Sequence, residues 1–110
     1  MNMRVNLATG STFQISEFGH EHIVFVRNTI EECRLVENAL MADGALDAVT
    51  VETDGETIAS ITGMQIAGTQ TVANTDGSIT EHIYTRGGTY DLDGGEYAQA
   101  GRILLGEEEE

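Results

Sequence analysis

His20 and His22 flank Glu21 in the stretch HEH. On a β-strand, side chains two positions apart point to the same side. Two imidazoles so placed could share a metal ion, with His82, next to Glu81, as a third ligand if its strand runs alongside. Zinc requires three or four such ligands at about 2.0–2.2 Å, each ring fixed by a partner on its other nitrogen. The chain has no HExxH pattern and only one cysteine. The plainer expectation is therefore a polar loop between two strands, with no metal and no cofactor. A small metal-dependent enzyme using His20, His22 and His82 is kept as an alternative.

Other chemistry is weaker still. DLDGGE, residues 91–96, gathers three acids around glycines, but an EF-hand loop counted from Asp91 needs glycine at its sixth position and glutamate at its twelfth. Those positions are Glu96 and Arg102. No GxSxG elbow is present, and Cys33 falls on the apolar side of an expected helix, where a thiol behaves as a small hydrophobe. Phe13, Phe18, Phe25, Tyr84, Tyr90 and Tyr97 are too few, and too far from arginine, to make a stacking platform for single strands. These readings predict a protein that is not an enzyme and does not bind nucleic acid.

Charge narrows the choice. The chain has 110 residues, a formal net charge of −14 and no lysine, all five basic residues being arginine. A P-loop lysine and a Schiff-base lysine are thereby excluded. Residues 51–110 carry twelve acids against two arginines, which repels nucleic acid. Such a surface suits solubility at high copy number. It also admits a second alternative, an acidic regulatory or inhibitory module acting as a DNA mimic, which would need its carboxylates on one ridge rather than in turns. Length allows a single domain with one core. No apolar run approaches the ~20 residues that cross a bilayer, and the start lacks a secretory apolar region, so the expectation is no membrane partner and a cytoplasmic location in the producing cell, or a place in a virion.

The elements that would position these residues can be read from periodicity. Met3, Val5 and Leu7, then Phe13 and Ile15 beyond Thr9-Gly10, alternate as a hairpin with one buried face. HIVFVRN, residues 22–28, reads as a strand covered on both faces or lying against a helix. Thr29 and Glu32 fit a capping box, and Ile30, Cys33, Val36 and Leu40 step along one face, so a helix is predicted over about 29–43, stopped by Asp43-Gly44. Asp54-Gly55 predicts a two-residue loop with Val51 opposite Ile58, followed by a bulge near Ala59 or Ser60, because Ile61 is out of phase with Ile58. A four-residue loop, Asn74 to Gly77, would pair Val72 with Ile79 and put Ile66, Val72, Ile79 and Ile83 on one face. The fold class is α+β and β-rich, a bent antiparallel sheet or partial barrel of six to seven strands with one helix.

The expected domain covers residues 1–88. Residues 89–110 form a glycine-rich acidic segment in which Tyr90, Leu92, Ile103, Leu104 and Leu105 either fold back on the domain or dock on a neighbouring copy, and Glu107–Glu110 stay solvated.

Taken together, the hairpin, the helix opening NTIEECRLVENAL, the stretch LDAVTVETDGETIASITGMQI and the closing SITEHIYTR resemble a group of small acidic proteins encoded among the structural genes of tailed bacteriophages and prophages. The resemblance spans roughly residues 5–86. Members usually continue into a long helical tail, where this chain has a short glycine-rich segment. The resemblance implies a non-enzymatic virion or tail-associated protein that works through contacts with copies of itself or with phage structural proteins, and it brings no catalytic residue.

Overall fold

The structure, a computed structural model, describes residues 2–92. β1 (Met3–Asn6) and β2 (Thr12–Ile15) form the expected hairpin, with Met3 opposite Ile15 and Val5 opposite Phe13, all four buried. At Ser16 the chain bends, and β3 (Glu17–Gly19) enters a second sheet with β4 (His22–Arg27). Then follow α1 (Ile30–Met41), β5 (Ala48–Thr53), β6 (Glu56–Thr62), β7 (Gln65–Ala73), β8 (Ile79–Arg86) and β9 (Thr89–Leu92). One antiparallel sheet has the order β2-β1-β5-β6-β9 and the other β3-β4-β8-β7. Among the described residues nine strands thus replace the six or seven expected, and they make a bent pair of sheets rather than a closed barrel. Both additions are short, three residues in β3 and four in β9. The core lies between the sheets and under α1, where Phe13 and Phe25 meet edge to face at 6.0 Å between ring centroids.

The helix begins as predicted. The Thr29 hydroxyl accepts from the Glu32 amide at 3.2 Å, and the Glu32 carboxylate accepts from the Thr29 amide at 3.1 Å. Cys33, Val36 and Leu40 are buried, but Ile30 is 40% exposed. Helical side chains lean toward the N-terminus, so the first residue of α1 projects past the end of the surface it was expected to cover. The other end differs too. Ala42 is already extended (φ −64°, ψ 147°), and Asp43 and Gly44 belong to the turn beyond, closed by Ala45 N–H to Ala42 C=O at 3.0 Å. Removing the cap with Thr29→Ala is expected to cost about 1 kcal/mol, about 4–8 °C in melting temperature. An unchanged thermal melt would count against the capping role.

Two hairpins carry register differences. In β5–β6 the two-residue loop forms as expected, Thr53 facing Glu56 with Asp54 and Gly55 both at positive φ, +51° and +88°, the signature of a type I′ turn. Val51, however, pairs with Ala59, because the bulge falls at Ile58, one position earlier than predicted. The extra residue lets Ile58 and Ile61, an odd number apart, both reach the core at 1% and 0% exposure. In β7–β8 the loop has five residues, so Val72 faces Thr80 and Ala73 faces Ile79. Local hydrogen bonds fix that length: Asn74 donates through Nδ2 to Ser78 Oγ at 2.9 Å and to Thr80 Oγ1 at 2.8 Å, while Asp76 Oδ1 accepts from the Ser78 amide at 2.9 Å. A one-residue step turns a strand over. Val72 accordingly lies on the outer side of the sheet, not with Ile83 in the core.

Candidate functional site

Three groupings of side chains could act on something outside the chain, and each follows from which strands the fold sets side by side. The first involves the histidines. β4 and β8 pair so that His22 faces Tyr84 and Val24 faces His82. Diagonally across the ladder His22 Nε2 and His82 Nδ1 come within 3.0 Å, and the two rings and that of Tyr84 lie nearly parallel. Burial, and then the neighbouring His82, lower the pKa of His22, partly offset by Glu17. At that distance one ring nitrogen donates a hydrogen bond and the other accepts it. His20 does not join them. It occupies the β3–β4 turn and packs against Tyr90 instead, with centroids 4.9 Å apart. Among the described residues no three histidine, cysteine or carboxylate side chains converge as a metal site.

Glu21, between the two histidines, has a structural task that the sequence did not reveal. Its backbone sits at φ +63°, a conformation rare outside glycine. Three contacts hold it there. Its amide donates to the Tyr90 hydroxyl at 3.0 Å, its carbonyl accepts from the Thr85 amide at 3.0 Å, and its carboxylate accepts from the Gly87 amide at 3.0 Å. Glu21 thus ties the β3–β4 turn to the point where the chain leaves β8 for β9. Tyr90 and Leu92 belong to β9, paired with β6 and packed against the core of their own chain. The other interface candidates, Ile103, Leu104 and Leu105, lie outside the described residues, as does most of DLDGGE.

A second grouping is the carboxyl pair of Glu37 on α1 and Glu81 on β8. Glu81 is fully buried on the helix-facing side of the sheet, and its Oε1 accepts from the Thr71 hydroxyl at 2.6 Å. Among the described residues, no amide or hydroxyl reaches its Oε2. A hydrogen bond to Glu81, then burial and the repulsion between the two carboxylates, raise Glu37 to about 7, against the pull of Arg34 at 3.8 Å. A protonated Glu37 turns one of two acceptors into a donor, and this is what the pair needs to stay buried. Cys33 lies in the same region, its thiol pushed up by burial and by Glu81, so it is no thiolate nucleophile.

The third grouping is the edge of the four-stranded sheet. β7 runs QIAGTQTVA for nine residues without a charge, and every residue from Thr69 to Ala73 is exposed, on both faces of the strand. Among the described residues it has a neighbour on one side only, β8. Beside it, the outer sheet face presents Val72, Val26 and Tyr84, with the Tyr84 hydroxyl donating to Gln70 Oε1 at 3.1 Å. Val24 is buried on this outer face, apart from the main core. An open groove of about 420 Å³, lined by Leu40, Met41, Leu46, Met64 and Ile66, meets the start of β7. Hydrophobic alternation could not mark this edge, since a strand exposed on both faces has none. The absence of charge from Gln65 to Ala73 is the one signal of it that the sequence carries.

No helix among the described residues is long and apolar enough to cross a membrane. Compared with known proteins, the chain matches no protein-family model, no curated protein and no solved structure.

Proposed function

We propose that this chain is a non-enzymatic structural protein, of the virion or tail-associated kind its sequence resembles, working through contacts with copies of itself or with neighbouring structural proteins. The observation that carries the proposal is the β7 edge, which among the described residues is bare. Its unpaired N–H and C=O groups offer a ready ladder to another strand, and proteins that must stay single usually shield such an edge with charge, proline or a covering element. β7 has no charged residue and no proline, although the chain around it carries nineteen acids. The acids favour contact at this place over others, since they repel approach elsewhere. A DNA mimic is less well supported, because Asp54 and Asp76 sit in separate turns and Glu31 and Glu32 at a helix start.

The test is physical association with particles. Particles purified by density gradient from the producing culture should contain the chain at a fixed ratio to the main structural proteins, as read by quantitative mass spectrometry. Recovery wholly outside the particle fraction would overturn the proposal.

A further inference from the structure

We infer that the partner taken up by β7 is a second copy of this chain, joined antiparallel about a two-fold axis, so that two four-stranded sheets become one of eight. The inference rests on the reading of the chain as a contact protein and names one partner for it.

One observation permits a second copy at this edge and a second favours it. One is charge: two molecules that each carry −14 repel over most approaches, and β7 offers a nine-residue line on which neither brings an acid. The other is the polarity of the hairpin ends. Arg86 stands beside Gln65 at the start of β7, and Asp76 lies in the turn beyond its end. Antiparallel pairing sets the arginine end of each copy beside the aspartate end of the other, twice, at a distance of about two strand spacings, roughly 10 Å. Parallel pairing would bring like ends together.

Register follows from the bulge. β7 is irregular between Ile66 and Gly68, which leaves Thr69–Ala73 as its regular stretch, centred on Thr71. A two-fold axis there puts Thr71 opposite its own counterpart, Gln70 opposite Val72 and Thr69 opposite Ala73. Threonine pairs and polar–apolar neighbours of this kind are well tolerated across strands. The Thr71 hydroxyl is already committed to Glu81 on the inner side, so the facing threonines contribute their methyl groups and backbone.

Sedimentation equilibrium of the full chain tests this. The wild type should show a reversible monomer–dimer equilibrium. Thr69→Glu with Ala73→Glu sets glutamate against glutamate at two places and should weaken the dimer at least about tenfold. Thr69→Lys with Ala73→Glu sets lysine against glutamate at the same two places and should restore it. A wild type that stays monomeric at the highest attainable concentration, or a dimer indifferent to both double variants, would overturn the inference. Amide exchange of the wild type guards against misfolded variants: protection of β7 should rise with protein concentration, and protection independent of concentration would be equally fatal. A monomeric chain still found in particles would remove self-pairing and leave the contact reading intact; a dimer absent from particles would do the reverse.

Discussion

Replacing Glu81 by glutamine is expected to raise the melting temperature above pH 7 and to flatten its dependence on pH. Glu37 has a folded pKa of about 7 against an ordinary 4.5, so in this interval the folded chain holds a proton that the unfolded chain releases. The contribution to stability is complete below pH 4.5, shrinks as pH rises, and is gone above about 7. There Glu37 is ionised beside Glu81, whose side chain is fully buried. In Glu81→Gln the side-chain carbonyl would still accept from the Thr71 hydroxyl and the new amide would donate to Glu37, so a neutral donor would replace the missing proton. Giving the buried, unpartnered position at Glu81 Oε2 a donor is expected to be worth about 1–3 kcal/mol at alkaline pH and to lose its advantage under mild acid. His22 works in the opposite sense. Its pKa lies below 6.5, so its contribution is present above pH 6.5 and is lost as pH falls through the lower folded value. In the wild type the two opposed contributions overlap below pH 6.5 and that of Glu37 alone acts between 6.5 and about 7, where the glutamine variant should show no slope from this pair. Thermal melts of both proteins across this range check the expectation; parallel profiles would show that the carboxyl pair does not govern it.

Gly88→Ala is expected to be more damaging than Gly87→Ala by a margin that geometry sets. Both glycines have positive φ, +70° for Gly87 and +92° for Gly88, so alanine at either brings the left-handed penalty of about 1–2 kcal/mol. Around Gly87 a new methyl group meets nothing within 4 Å. At Gly88 it would stand 3.0 Å from Met64 Cβ, 3.1 Å from Ile61 Cγ2 and 3.3 Å from Met64 Cα, and the last is backbone that cannot swing aside. Overpacking of this kind adds about 1–3 kcal/mol, for a total of about 2–5. The strain falls where the chain crosses from β8 to β9. Amide exchange should accordingly report β9, and the Tyr90–Glu21 contact, as the first structure to open. Equal losses for the two variants would mean that the close approach at Gly88 is relieved at no cost.

Much of the fold was legible because local chemistry and burial agree. The capping box, the β1–β2 hairpin and the Asp54-Gly55 turn each depend on a few neighbouring residues, and all three stand as read. The register of β7–β8 went astray because apolar matching favoured Val72 opposite Ile79, whereas the side chains of Asn74 and Asp76 dictate a five-residue loop. Ile58 and Ile61 announced a bulge, but phase alone put it near Ala59 or Ser60, whereas the residue squeezed out of the ladder is Ile58. Of the histidines, His22 and His82 meet across strands, one condition of the metal alternative, while His20 is diverted by a turn that Glu21 enforces from three distant contacts. The Glu37–Glu81 pair could not have been singled out among nineteen acids, because only the packing of α1 over β8 brings the two together.

The pairing of distant strands bears on how the molecule comes into being. His22 and His82 are separated by 60 residues of chain, and Asn6 and Glu52, which also touch, by 46. During synthesis the first 78 residues therefore contain β4 without its central neighbour, β8. The second sheet therefore waits for β8 to be made, with the capped helix and the short hairpins available as early, local structure. Until β8 leaves the ribosome, Ile23 has only Phe18 of β3 beside it and Phe25 has no strand partner, and a nascent chain arrested short of β8 is the form most exposed to aggregation and to chaperones.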